Sequence, residues 1–181
     1  SKIVADVVGL GADGKKVGVI STINGDANIG FYKELAAAGI KADDIPVVAF
    51  SVGEEELSGL DTKNLVGHLA AWNYFQSAES DLNTDFIKQW KSTMGDKRVT
   101  NDPMEAHVIG FKMYVKAVEK AGTTDVDAVR KAMYGMKVPN LTGGMAEMLP
   151  NHHLSKPVLI GEIQADGQFD IISQTKEVPG D

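Results

Sequence analysis

Apolar and polar residues follow two different periods in the first half of the chain, and each period predicts one kind of element. Residues 17–22, 45–50 and 69–75 contain short apolar runs, which are typical of strands covered on both faces of a sheet. Residues 29–36 carry apolar side chains three and four positions apart, as on one face of a helix. The order of strand, helix and strand predicts a parallel sheet with right-handed crossovers, and so an α/β fold.

The pattern changes to three consecutive helices in the middle of the chain. The helical stretches are residues 85–94, 103–121 and 125–134. Asn101 or Asp102, placed before Pro103, predicts the N-cap of the second helix, and Thr124 is expected to cap the third.

Strand-like residues return towards the end of the chain. Asp166 and Gly167 separate residues 158–164 from residues 168–173, which predicts a two-residue β-hairpin. The succession of an α/β unit, helices and a hairpin suggests two lobes. The chain is expected to cross between them near residues 76–81 and again near residues 140–150.

Polar and aromatic side chains lie at the ends of the three predicted parallel strands or directly after them. Because the carboxyl ends of parallel strands meet at one edge of a sheet, we expect these side chains to converge on a ligand there. Hydroxyls, amides, a carboxylate and aromatic rings suit a small, neutral, polar ligand. The alternative interpretation is that they are turn formers and caps, that the aromatic rings only pack, and that Glu54 lies in a solvated first helical turn. The candidates are Thr22, Asn24, Ser51, Glu54, Trp72, Asn73 and Tyr74.

Catalytic, nucleotide and metal sites have little support in the sequence. Residues 9–14 match GxGxxG, but a dinucleotide fingerprint follows a strand and opens a helix, whereas this one follows a predicted helix and precedes a strand. The motifs GxSxG and HExxH are absent. His152 and His153 are adjacent, so in an extended segment they point to opposite faces and cannot easily share a metal. We therefore expect no enzyme activity, no cofactor and no metal.

Composition narrows the choice of partner. The 181 residues carry a formal net charge of −7, which argues against nucleic acid or an anionic membrane surface as the main partner. No apolar run approaches the roughly 18 residues that a membrane span needs. The first residue is Ser1 and a helix is predicted to be under way at once, so we expect the chain to be a piece of a longer protein.

Four segments closely resemble the urea-type solute-binding proteins of ABC transporters. They are STINGDAN at 21–28, NDPMEAH at 101–107, PNLTGG at 139–144 and MLPNHHLSKPVLIGEI at 148–163. These proteins are similar to receptors for short-chain amides and branched-chain amino acids and share the type I periplasmic binding fold. The resemblance covers essentially the whole chain. It implies a periplasmic protein in which two lobes close on urea or a short-chain amide and deliver it to a permease.

The resemblance also implies how the chain divides. Residues 1–76 would form an α/β unit of the second lobe, residues 77–142 a helical segment of the first lobe, and residues 143–181 a crossing segment with a hairpin that returns to the second lobe. An N-terminal region that forms most of the first lobe has no counterpart in the 181 residues. We therefore expect an exposed sheet edge that invites self-association, and weak or no binding of urea by this chain alone.

Two other functions remain open at this point. A cytoplasmic amide sensor of the same fold would release a partner protein instead of docking on a permease. A small-amide hydrolase would need a nucleophile with a base, or a metal cluster, and the sequence displays neither.

Overall fold

A computed structural model describes residues 2–12 and 14–180. Its helices are α1 (Lys2–Gly11), α2 (Ala27–Ala37), α3 (Glu54–Leu57), α4 (Asp81–Met94), α5 (Asp102–Ala121) and α6 (Val126–Met133). Its strands are β1 (Val19–Ser21), β2 (Val47–Ala49), β3 (Leu69–Trp72), β4 (Lys137–Pro139), β5 (Met145–Met148), β6 (Leu154–Ser155), β7 (Leu159–Ile163) and β8 (Phe169–Gln174). No helix in the described residues is both long and apolar enough to cross a membrane.

The main sheet has five strands in the order β1-β2-β3-β7-β8. The first three are parallel, with Ser21 opposite Ala49 and Ala49 opposite Ala70. The hairpin β7–β8 then joins β3 in antiparallel orientation. The α/β fold, its parallel strands and the C-terminal hairpin are therefore confirmed. The predicted two-residue loop of the hairpin is wrong, because the Gln164 N–H donates to the Gln168 oxygen at 2.9 Å and leaves residues 165–167 as the loop.

One side of the main sheet packs against helices. Val47 and Ala49 alternate with Val48 along β2, and both are fully buried in an apolar core that includes Tyr32 and Leu35 of α2. Position 161 in β7 has no room for a side chain, because a Cβ on Gly161 would stand 2.9 Å from the rings of both Phe75 and Phe169. Those two rings stack with their centroids 4.4 Å apart. We call the main sheet together with α1–α3 the sheet group.

A second, three-stranded antiparallel sheet has the order β4-β5-β6 and was not predicted. Its strands are only two to four residues long, too short for alternation to reveal them. Val138 and Ala146 bury their side chains against Ile109 and Met113 of α5. We call this sheet together with α4–α6 the helical group.

The helices begin where polar side chains can cap them. The side chain of Asn101 accepts a hydrogen bond from the Met104 N–H, 3.1 Å away, as predicted for α5. The predicted cap Thr124 is wrong, because Asp125 takes that place and accepts from the Ala128 N–H at 3.0 Å. Helix α4 begins at Asp81, four residues earlier than expected, since Ser80 caps it. The predicted third strand also ends sooner, at Trp72.

Two crossings carry the chain between the sheet group and the helical group. The residues after β8 also return to the helical group, since Val178 pairs with Lys156 and the Gly180 oxygen accepts from Asn151 Nδ2 at 2.8 Å. The first crossing, residues 73–80, leads from β3 to α4, and the second crossing, residues 156–158, leads from β6 to β7. Since β5 pairs with β4 and β6 pairs with β5, the chain returns to the main sheet at Leu159, after the predicted residues 140–150. Assignment of the two groups to two lobes stays a prediction.

Candidate functional site

The ends of β1 and β2 bring three of the predicted side chains together. Because these parallel strands run in register, the segment after Ser21 lies beside the segment after Ala49. Thr22 and Asn24 are exposed in the first segment. The hydroxyl of Ser51, in the second, donates a hydrogen bond to Asn24 Oδ1. This corner presents neutral hydroxyl and amide groups to solvent.

Asn28, which the sequence reasoning did not select, holds this corner in place. Its side chain is fully buried, and its Nδ2 donates to the backbone oxygens of Ile23 at 3.0 Å and Ser51 at 3.2 Å. The amide therefore joins the turn after β1 to the turn after β2. Its spacing in the sequence indicates that it is buried, since Asn28 shares the inner face of α2 with Phe31, Tyr32 and Leu35.

Glu54 lies inside the protein, so the alternative interpretation of a solvated first turn is wrong for this residue. Only 1% of it is exposed, and its Oε1 accepts a hydrogen bond from the Gln76 N–H of the first crossing at 2.7 Å. Burial raises its pKa to about 8, although N–H groups of Gln76 and Ser77 oppose that rise. Glu54 is therefore largely protonated at neutral pH and supports the first crossing.

The end of β3 separates its three candidates. Trp72 is half-buried, and its ring lies 3.4 Å from where a Cβ on Gly53 would stand, so it borders the end of β2. The Asn73 side chain donates from Nδ2 to the Pro157 oxygen at 2.7 Å. This amide therefore holds the first crossing to the second.

Tyr74 lies completely in the interior. Its hydroxyl is 2.7 Å from both Asn83 Oδ1, to which it donates, and Thr100 Oγ1. Burial raises the pKa of this phenol. Tyr74 therefore supports the junction of the first crossing with α4.

The site has the chemistry of recognition by hydrogen bonds. Its members Thr22 and Asn24, which are exposed, and Ser51, which is half-buried, are uncharged, and Trp72 provides an aromatic wall beside them. No group of three or more His, Cys, Asp or Glu side chains that could hold a metal ion occurs among residues 2–12 and 14–180. The assignment of the seven candidates to a ligand site stays a prediction.

Comparison with known proteins first identifies a family. The model of the periplasmic binding protein domain matches residues 1–181. Among curated proteins, the chain is 30% identical over 118 residues to the limonene hydroxylase of Geobacillus stearothermophilus. That match covers 65% of this chain and 22% of the hydroxylase.

Solved structures share the fold at low sequence identity. A solute-binding protein of an ABC transporter from R. palustris, in complex with 4-hydroxybenzoate, superposes with a TM-score of 0.81 at 22% identity and covers 98% of this chain. An amino acid ABC transporter substrate-binding protein from Pseudomonas fluorescens Pf-5 gives 0.78 at 20% identity over 99% of this chain. The chain spans about half the length of both, 49% and 48% respectively.

The hydroxyl of Tyr74 can be tested for a structural role. We expect Tyr74→Phe to lower the free energy of unfolding by about 1–3 kcal/mol, because Asn83 and Thr100 lose a buried partner. Tyr134→Phe is the matched control, since its hydroxyl bonds to the exposed His152. Guanidinium chloride unfolding measures both. Equal stability of Tyr74→Phe and the wild type would contradict the interior role.

The carboxyl of Glu54 should make stability depend on pH. Its pKa rises from 4.5 unfolded to about 8 folded, so the folded state holds the extra proton between these values. Stability should therefore fall as pH rises through this window, and Glu54→Gln should remove a fall on the order of a few kcal/mol. Guanidinium chloride unfolding across pH measures this, with the exposed Glu119→Gln as control. Parallel curves for wild type and Glu54→Gln would sink the assignment.

Proposed function

The chain belongs to the periplasmic binding protein domain family, and on that premise we propose that it is part of the solute-binding component of an ABC importer. In this proposal it works in the periplasm, where two lobes close on a ligand and present it to a permease. The sheet group supplies one wall of the cleft, at the ends of β1, β2 and β3. The full-length match to the family and the shared fold support this function.

We propose that the ligand is a small uncharged amide such as urea. The supporting observation is the absence of any lysine or arginine from residues 21–24, 50–54 and 72–75. A carboxylate ligand buried against this wall would lack a balancing cation from it, and an unpaired buried charge is costly. Amide N–H and C=O groups, in contrast, match the hydroxyl and amide groups of Thr22, Asn24 and Ser51.

Calorimetric titration tests the ligand. We expect a polypeptide of the length of the matched solute-binding proteins that contains this sequence to bind urea or acetamide more tightly than leucine or 4-hydroxybenzoate. Asn24→Ala should weaken binding roughly tenfold through a lost hydrogen bond. The control Asn64→Ala should leave binding unchanged, because Asn64 is exposed and lies before the start of β3, away from the strand ends.

The same experiment separates the competing readings. Preference for a carboxylate ligand would overturn the amide proposal, and consumption of urea on incubation would indicate a hydrolase. The 181-residue chain alone should bind weakly or not at all, so micromolar affinity of that chain would contradict a site shared with a second wall.

We also propose that the isolated chain self-associates through β1. This strand lies at the edge of the main sheet, and Ile20 is 72% exposed. The backbone groups of Val19 and Ser21 face β2: the Val19 N–H donates to the Pro46 oxygen at 2.8 Å, and the Ser21 oxygen accepts from the Phe50 N–H at 3.2 Å. In a parallel pair the backbone groups of the residue between them face away, so Ile20 offers a free edge.

Light scattering after gel filtration measures this association. Ile20→Lys should shift the chain towards the monomer, because a charge on an edge strand opposes pairing with another strand. Val126→Lys is the matched control, since Val126 is 78% exposed on α6. A wild-type chain that stays monomeric at its highest soluble concentration would refute the proposal.

A further inference from the structure

Both crossings meet at the first turn of α5. The backbone N–H of Asn73, where the first crossing begins, donates to Asp102 Oδ2 at 3.0 Å. The side chain of Asn73 donates to the Pro157 oxygen of the second crossing at 2.7 Å. One residue therefore connects the two crossings with each other and with α5.

A buried ion pair fixes the second crossing to the same turn. Lys156 Nζ is hydrogen-bonded to Glu105 Oε2, and these residues are 7% and 0% exposed. The other oxygen of Glu105, Oε1, accepts from the Leu141 N–H at 3.3 Å. Lys156 and Glu105 thus tie residues from the second crossing, α5 and the loop after β4 into one contact.

The cluster contains two carboxylates and one ammonium group. The pKa of Asp102 is raised to about 6, because burial and the negative charge of Glu105 outweigh the lowering by the positive charge of Lys156 and by the N–H groups of Asn73 and Tyr74. Tyr74, from the first crossing, also feels the charge of Glu105. A charged Asp102 holds the Asn73 N–H by a charge-assisted bond, which is stronger than the bond to a neutral acid.

We propose that Asp102, Glu105 and Lys156 form a hinge lock, which fixes the orientation of the sheet group relative to the helical group and loosens when Asp102 gains a proton. The lock acts on both crossings, and no ligand takes part in it. It therefore stands or falls independently of the proposed transport function.

The sequence contains no cysteine, so two cysteines can be introduced and each labelled with a spin label without competing thiols. Exposed positions on the two groups are Lys33 on α2 and Lys131 on α6. Pulsed electron resonance then measures the distribution of distances between the groups. We expect the distribution to broaden from about pH 7.5 to about pH 5, on either side of the Asp102 transition.

Substitutions assign the effect to the cluster. Asp102→Asn should give the broad distribution at both pH values, because an amide cannot carry the charge. Lys156→Met should broaden it as well, whereas Lys137→Met, which breaks the exposed pair with Glu147 at 3.1 Å, should not. Should Lys156→Met fail to fold, the pH response of the wild type and of Asp102→Asn still decides.

Two results would overturn the hinge lock. One is a wild-type distribution that is the same at both pH values and equal to that of Asp102→Asn. The other is an Asp102→Asn variant that keeps the full pH response, which would place the titrating group elsewhere.

Discussion

The structure depends on hydrogen bonds from side chains to the backbone of the first crossing. This segment leaves the main sheet after β3 but stays buried. Beyond Trp72 the first crossing has no neighbouring strand, yet Tyr74, Phe75 and Gln76 are buried. Buried peptide groups must find partners. Asp102 and Glu54 accept from the N–H groups of Asn73 and Gln76. Asn83 donates to the oxygens of Gln76 and Ala78, at 2.9 and 2.7 Å.

These partners come from distant parts of the chain. Their hydrogen bonds therefore attach the first crossing to both the sheet group and the helical group. Glu54 belongs to the sheet group, whereas Asn83 and Asp102 belong to the helical group. The Gln76 side chain extends the same network, because its Oε1 accepts from the Thr100 N–H and its Nε2 donates to Gln168 Oε1, between β7 and β8. Movement of one group relative to the other therefore has to change bonds at these few residues.

This requirement separates the residues that support the candidate site from those that face solvent. Glu54, Asn73 and Tyr74 use their polar atoms on the scaffold, while Thr22, Asn24 and Ser51 remain at the open corner of β1 and β2. The Asn28 side chain supports that corner through hydrogen bonds to its backbone, as the side chains of Glu54 and Asp102 support the first crossing. The corner and the crossing are adjoining parts of one framework, since α3 carries Glu54 directly after the turn of Ser51.

The sequence by itself determined the elements whose apolar period is local: the parallel strands, helix α2, the long helices and the hairpin at Asp166 and Gly167. It also determined that polar residues follow β1, β2 and β3, because strand order in an α/β unit brings those ends to one edge. Only the tertiary structure decided which of these residues are buried. Glu54 and Tyr74 look like exposed site residues in the sequence, but their partners Gln76, Asn83 and Thr100 become visible only after folding. Strands β4–β6 were hidden because they are only two to four residues long. The cluster of Asp102, Glu105 and Lys156 was hidden because Lys156 and Glu105 lie 51 positions apart in the chain, and such long-range pairing leaves no period.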